Sequence, residues 1–365
     1  MKEAALQPKH RRIFDVLRHE ILLGKYNDRV RFPSEQMLVR RFKVSRPTVN
    51  RALLDLKREG LLQGRSGSGT YLSDLAKSDA GFLGLIMPDT GWNRFFAALG
   101  RGIEKAVREE GYTLLEETPT GEDDATRAKE MVDFAKELAQ RRVRGVLFEP
   151  FDSYAGSAET TARILAILKS ASIPVVLLDR DIVPLPRRSD YDLVGIDNFR
   201  AGYVAAEHLI SRGARTIHFF TMPNSADATL QRSQGTAQAV IEHGLRWTRG
   251  AFHAVEPSDR RTIAAIFRKG GAPDAVVCRN DHYAAVLMQT LAALRIKVPR
   301  RVRVVGFDDT GLAEILSPPL TSLRQPAQEI GRVAVEVLLR RLRNPSLPAC
   351  RLLIDATLTV RDSTK

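Results

Sequence analysis

Cysteine is nearly missing from this chain of 365 residues: there are two, Cys278 and Cys350, and neither belongs to a CxxC pair or a Cys/His cluster. That excludes a disulfide framework and a zinc site of recognisable spacing. Long apolar runs are missing too, since no stretch reaches the roughly 20 residues that span a bilayer. The first residues, Met1-Lys2-Glu3-Ala4-Ala5-Leu6, contain no signal-peptide core, so a cytoplasmic protein without a membrane partner is expected. Enzyme signatures are also lacking. There is no GxGxxG after the first strand of the large region, no GxSxG, no HExxH and no Gly-Lys-Ser/Thr loop, and the seven histidines are scattered. An enzyme on a doubly wound fold is therefore the disfavoured reading, and no cofactor or metal is expected.

What is present is positive charge, unevenly placed. The net charge is +13. Residues 1–77 carry 17 Lys and Arg against 8 Asp and Glu, while the rest of the chain carries 39 against 35. A basic N-terminal fifth is what phosphate neutralisation requires. The length exceeds what one core usually holds, so more than one domain is expected.

Within the basic segment, Ile13, Val16, Leu17 and Ile21 recur at helical spacing, which predicts a helix over about 9–23. Ser34, after Pro33, is a good cap for a second helix ending near Phe42. Ser45 can cap a third helix, with Pro47 in its first turn, where a missing N–H costs little. In that helix Val49, Ala52, Leu53 and Leu56 form the apolar stripe. Arg46 and Asn50 fall outside it, four residues apart, with Arg51 further round. Arg and Asn on one exposed helix face can make bidentate hydrogen bonds to guanine and adenine. An amphipathic surface helix would show the same stripe, but here a tight turn precedes it. Leu61-Leu62-Gln63 and Thr70-Tyr71-Leu72 follow as two short strands around Gly64-Arg65-Ser66-Gly67-Ser68-Gly69. The order is that of a winged helix-turn-helix.

Residues 9–72 resemble the DNA-binding domain of the GntR family. The resemblance is carried by Phe32-Pro33-Ser34-Glu35, Ser45-Arg46-Pro47-Thr48-Val49, Ala52-Leu53, Leu56, Glu59-Gly60-Leu61 and Gly67-Ser68-Gly69-Thr70. It implies DNA contacts through the residues matching Arg46 and Gly67. Gln36 and Asn50 stand where the family commonly has Arg. The candidate DNA-binding residues are Ser34, Gln36, Ser45, Arg46, Thr48, Asn50, Arg51, Ser66 and Gly67.

After a short polar stretch at 73–80, read as a linker, the chain alternates apolar runs with helical stretches, the pattern of an α/β protein with parallel sheets. The runs fall in two series. The first is Phe82–Met87, Tyr112–Leu115, Val143–Phe148 and Val175–Leu178. The second is Leu193–Ile196, Ile217–Phe220, Ala275–Cys278 and Val302–Phe307. Two subdomains facing each other would make a ligand cleft at the carboxyl ends of their strands. Asp179, Asn280 and Asp308 follow such strands, and Arg232 is expected to open a helix after another. Their donors and acceptors suit a hydroxyl-rich solute, and Phe95 and Phe96 could pack on the apolar face of a sugar. Each Asp or Asn alone reads equally well as a helix cap; their repetition at strand ends argues for a site.

The segment 81–362 is similar to the effector domain of the LacI family and to periplasmic sugar-binding proteins. Carrying residues include Gly84-Leu85-Ile86-Met87-Pro88, Phe95-Phe96, Val175-Val176-Leu177-Leu178-Asp179, Val194-Gly195-Ile196-Asp197-Asn198, Arg232, Asn280-Asp281, Val304-Val305-Gly306-Phe307-Asp308-Asp309 and Pro319-Leu320-Thr321-Ser322-Leu323-Arg324-Gln325. The resemblance implies effector contacts at Phe96, Asp179, Arg232, Asn280, Asp308 and Gln325, to which Phe95 is added.

The fold expected is α/β: a winged helix-turn-helix at 1–72, a linker at 73–80, and a two-subdomain, periplasmic-binding-protein-like region with doubly wound parallel sheets at 81–365. The chain as a whole is similar to hybrid regulators of the arabinose-repressor type. The function expected is a transcription regulator, a repressor, that binds double-stranded operator DNA as a homodimer under control of a small polar effector, a carbohydrate. The alternative is the same architecture responding to a purine or phosphorylated metabolite. With a GntR-type head in place of the LacI hinge helix, residues 73–80 are left to transmit the signal.

Overall fold

The computed structural model describes residues 9–22, 26, 32–58, 61–65, 69–72, 81–87, 94–121, 123–151, 156–223, 225, 227–268 and 272–365. Ser66, Gly67 and the linker at 73–80 lie outside the described residues.

The N-terminal segment folds as α1 (Lys9–Leu22), α2 (Glu35–Phe42), α3 (Arg46–Arg58), β1 (Leu62–Arg65) and β2 (Gly69–Leu72). Ser34 starts α2 by accepting a hydrogen bond from the Met37 N–H at 3.3 Å. Lys43 ends it in the left-handed region, φ 51°, and the chain turns into α3 within three residues. The apolar faces of the three helices close on one another through Phe14, Leu17, Leu38, Val49 and Leu56, all buried. Val16, expected on that face, is 41% exposed. It stands one step of about 100° from Leu17, on the side away from Phe14, so Phe14 completes the stripe instead. Glu20, buried on α1, receives two hydrogen bonds from Arg41 of α2 at 2.5 and 2.6 Å and one from the Tyr26 hydroxyl at 2.7 Å. β1 and β2 pair antiparallel, with Leu62 opposite Leu72.

Two six-stranded sheets follow. The first is built by β3 (Phe82–Ile86), α4 (Arg94–Glu109), β4 (Thr113–Glu116), α5 (Asp124–Gln140), β5 (Gly145–Phe148), α6 (Ser157–Ser170), β6 (Val175–Leu178) and β7 (Asp192–Ile196). The second begins with α7 (Asn198–Ser211), β8 (Ile217–Thr221), α8 (Asp227–Glu242), β9 (Phe252–Ala254) and α9 (Arg260–Arg268). It continues with β10 (Ala275–Cys278), α10 (Asp281–Ala293), β11 (Arg303–Phe307), α11 (Gly311–Ile315) and β12 (Thr321–Arg324). The chain ends with α12 (Ala327–Arg343), β13 (Arg351–Ile354) and β14 (Thr357–Thr359). Strand order is β13-β7-β6-β5-β3-β4 in one sheet and β14-β12-β11-β10-β8-β9 in the other. All neighbours run parallel except β14 against β12. Their central strands are buried on both faces, Val146, Leu147, Val276 and Val277 completely, which is why they read as unbroken apolar runs.

The division into two series differs from the sequence expectation at one strand. Leu193–Ile196 belongs to the first sheet, with Val194 opposite Leu178, and β13 adds to the same sheet at its edge. The chain therefore crosses between sheets three times, after β7, after β12 and after β13. A local apolar run does not encode which sheet it joins, because the pairing partner is distant in sequence.

Helices α7 and α8 pack closely beside the second sheet. A methyl group at Gly202 would overlap the Arg232 carbonyl, and one at Gly235 the Phe199 carbonyl. These glycines set the depth at which α8 lies, and with it the position of Arg232. Among the described residues no helix is long and apolar enough to cross a membrane.

Candidate functional site

Two clusters gather the residues singled out from the sequence. On the helix-turn-helix, the Arg46 side chain is 76% exposed and its Nε donates to Glu35 Oε2 at 2.8 Å. With its amide turned to satisfy both ends, Asn50 Nδ2 donates to Glu35 Oε1 at 2.6 Å. One carboxylate on α2 thus aligns both base-reading candidates on α3. The Ser45 and Thr48 hydroxyls lie 2.7 Å apart at the start of α3. Ser34 is committed to capping α2. Gln36 and Arg51 are exposed. Glu35 was not among the sequence candidates, although it lies in the Pro33-Ser34-Glu35 motif; an acid beside a phosphate-binding helix invites no such role on charge alone.

The second cluster lies at the carboxyl ends of strands from both sheets. Asp179 follows β6 with φ 65°, its N–H donating to the Val194 carbonyl at 2.9 Å. Asp308 follows β11 with φ 98°, its N–H donating to the Leu323 carbonyl at 2.9 Å. Positive φ in two non-glycine residues is strain that the sheet pairing imposes. Gln325, just past β12, donates from Nε2 to Asp308 Oδ1 at 2.6 Å. Arg232 lies in the second turn of α8 rather than opening it. Its Nε donates to Asn198 Oδ1 at 2.8 Å, its Nη1 to the Arg279 carbonyl at 2.7 Å, and its guanidinium lies 4.5 Å over the Phe307 ring. Burial pulls the Arg232 pKa down from its ordinary value, opposed by Asp308 and then Asp179. Burial pushes the Asp308 carboxyl up, opposed by Arg232 and Gln325. Neither Asp308 nor Asp179 is hydrogen-bonded to Arg232 among the described residues; both only favour its charge at a distance.

Asn280 caps α10 through Oδ1, which accepts from the Tyr283 N–H at 2.9 Å; its Nδ2 has no acceptor among the described residues. Phe95 and Phe96 stand in the first turn of α4, 5% and 8% exposed, with rings edge to face at 5.0 Å. Their neighbours in sequence turn inward for other reasons. Asp281 is fully buried, accepting from Ser322 Oγ at 2.6 Å and the Thr310 N–H at 2.9 Å. Asp309 accepts from Arg361 at 2.5 Å, Arg324 at 2.7 Å and Thr359 at 3.0 Å. Burial works against its ionisation, but those hydrogen bonds hold the carboxyl below its usual range.

Four residues of this cluster escaped the sequence reading: Glu149, Arg180, Asn198 and Arg279. Arg180 donates to Glu149 Oε1 at 2.5 Å and lies 3.3 Å from Asp179 Oδ2, all three largely buried. The strand-end rule that found Asp179 applies equally to Glu149 after β5 and Arg279 after β10. Among the described residues no group of three metal-ligating side chains is present. The cluster offers directional donors and acceptors to a bound solute.

Comparison with known proteins fits both halves. Residues 9–72 match the family model described as bacterial regulatory proteins, gntR family, and residues 206–364 match the periplasmic binding protein-like domain. The arabinose metabolism transcriptional repressor of Geobacillus stearothermophilus is 27% identical over the full length of both chains. The HTH-type transcriptional repressor PurR of Vibrio vulnificus is 30% identical across 75% of this chain and 78% of its own. Among solved structures, the transcriptional regulator CelR–cellobiose complex superposes with a TM-score of 0.64 at 22% identity, covering 98% of this chain and 100% of that one.

Proposed function

The chain belongs to the bacterial transcriptional regulators with a LacI-type, periplasmic-binding-protein-like effector domain, joined here to a GntR-type DNA-binding head, and on that basis we propose how its residues divide the work. It is a DNA-binding regulator of the repressor kind. Residues 1–72 form the head and 81–365 the effector and dimerisation region, with 73–80 between them. The protein acts in the cytoplasm as a homodimer, presenting two α3 helices to a two-fold-related operator. Arg46 and Asn50, aligned by Glu35, read base edges. Ser34, Gln36, Ser45, Thr48, Arg51, Ser66 and Gly67 serve the backbone and neighbouring bases.

The effector is a sugar held among Phe95, Phe96, Asp179, Arg232, Asn280, Asp308 and Gln325. The observation that supports this reading is buried Arg232, bonded to Asn198 just after the last central strand of one sheet and to the Arg279 carbonyl at a strand end of the other, with its guanidinium over Phe307. A solute bound there touches both sheets and so shifts their relative position. The names of the similar proteins, with arabinose metabolism in one and bound cellobiose in another, support a carbohydrate.

The test is a gel-shift titration on operator DNA recovered by selection from random sequence, with and without a sugar panel. Arg46→Ala should weaken operator binding by about 1–3 kcal/mol, the loss of one bidentate base contact. Unchanged affinity in that variant, or no sugar altering the wild-type titration, would count against the corresponding half.

A further inference from the structure

We propose that Asn50 selects, at one position of the operator, a base that carries an amino group in the major groove, adenine or cytosine, and rejects guanine and thymine there. This rests on the reading of α3 as the helix that meets the bases and narrows what one of its residues reads.

The first observation is the orientation of the amide. Asn50 Nδ2 donates to Glu35 Oε1 at 2.6 Å and lies 3.2 Å from Oε2. The reverse orientation would set Oδ1 against the same carboxylate, acceptor against acceptor. Glu35 is held in turn by Arg46, whose Nε donates to Oε2 at 2.8 Å. The carboxylate thus takes the donor end of the amide and turns Oδ1 away from itself. An asparagine without such a partner can present either end to a base; this one is held with its acceptor leading.

The second observation is the face on which this happens. Val49, Ala52, Leu53 and Leu56 are buried, so one side of α3 is closed against the core of the head. Asn50 is half-buried, and Arg46, four residues earlier on the same face, has a side chain 76% exposed. Both side chains reach one carboxylate on α2. With its Nε held, Arg46 keeps its two terminal nitrogens for a guanine, whose O6 and N7 both accept.

Asn50 offers the opposite polarity. In the major groove adenine N6 and cytosine N4 donate, whereas guanine O6 and thymine O4 accept. Arginine, common at this place in the GntR family, offers only donors. Asparagine held by Glu35 therefore inverts the polarity read at that position, and the same carboxylate that readies Arg46 for an acceptor readies Asn50 for a donor.

The experiment is selection of binding sites from random-sequence DNA by the full chain, followed by anisotropy titration of the selected site with all four base pairs placed at each position in turn. Wild type, Asn50→Ala, Asn50→Arg and Glu35→Ala are compared. Ratios between sites are read within one variant, so a loss of overall affinity does not mask them. At one position the wild type should bind adenine or cytosine about 5- to 150-fold more tightly than guanine or thymine, the usual range for one well-read base pair. Asn50→Ala should erase that preference, and Asn50→Arg should move it to guanine. Glu35→Ala leaves Asn50 in place but lets its amide turn, so the preference should shrink there too, which a side chain that only packs would not show. The tighter of the two amino bases names the one read. If no position depends on residue 50, if the dependent position favours guanine or thymine in the wild type, or if its preference is indifferent to Glu35→Ala, the inference is overturned and α3 remains the helix that meets the bases. If the wild type enriches no DNA sequence at all, the reading of the head fails as well.

Discussion

At the scale of single residues, the same side-chain type does opposite work depending on one step of register. Asp308 is held by Gln325, Asp309 ties three segments together through Arg324, Thr359 and Arg361, and Asp281 braces Ser322 and Thr310 from a fully buried position. Burial, helped by the neighbouring Asp308, pushes the Asp281 carboxyl up to about 8. A carboxyl whose folded pKa exceeds its unfolded value favours the folded state most at low pH, and that contribution is lost as pH rises from about 4 towards about 8. The wild-type melting temperature should therefore fall between pH 6 and 8.5, and Asp281→Asn should flatten that part of the profile. Parallel profiles for the two proteins would remove Asp281 as the cause. The sequence placed Asn280-Asp281 and Asp308-Asp309 correctly at strand ends. It could not say which member of each pair turns inward, because that depends on partners distant in sequence: Ser322 of β12 bonds Asp281, and Gln325 just past β12 bonds Asp308.

At the scale of elements, what was legible was local. The start of α2, the buried stripe of α3 and the apolar runs of the parallel strands follow from capping and periodicity, and the structure has them at nearly the expected bounds; at the start of α3 the Ser45 hydroxyl meets that of Thr48. What was not legible was pairing: β7 joins the first sheet, and β9, β13 and β14 are edge strands of three or four residues. The fit of α7 against α8 is likewise non-local, since nothing near Gly202 in sequence announces the Arg232 carbonyl that fills the space above it. Gly202→Ala forces the helices apart. It should lower stability by about 1–3 kcal/mol, the usual cost of overpacking, read as a shift in the urea midpoint. Because Arg232 is displaced with α8, effector affinity should fall as well. A variant with wild-type midpoint and affinity would show that the helix pair has slack.

At the scale of the whole molecule, the crossings between sheets carry residues that belong to or support the proposed ligand site. Asn198 begins α7 just after β7, and Gln325 stands between β12 and α12. Each lies in a connection between the two sheets, and each holds a side chain of the proposed site: Asn198 holds Arg232, and Gln325 holds Asp308. A further ion pair ties one crossing to another, Arg200 to Asp355 at 3.3 Å. In the proposed site a ligand engaging Arg232 and Asp308 would compete for the bonds that Asn198 and Gln325 make from the connecting segments, which would link occupancy to the relative position of the sheets. The coupling free energy between effector and operator is typically 1–3 kcal/mol, about a 5- to 150-fold change in operator affinity. Gln325→Met keeps the volume and removes the bond to Asp308. It should bring the ratio of operator affinities, without and with saturating effector, close to one, while effector affinity falls by less than about 10-fold, the worth of one hydrogen bond. Fluorescence anisotropy of labelled operator at fixed effector occupancy measures the ratio directly. A full wild-type ratio in Gln325→Met would place the coupling in some other connection, with Asn198 the next to alter.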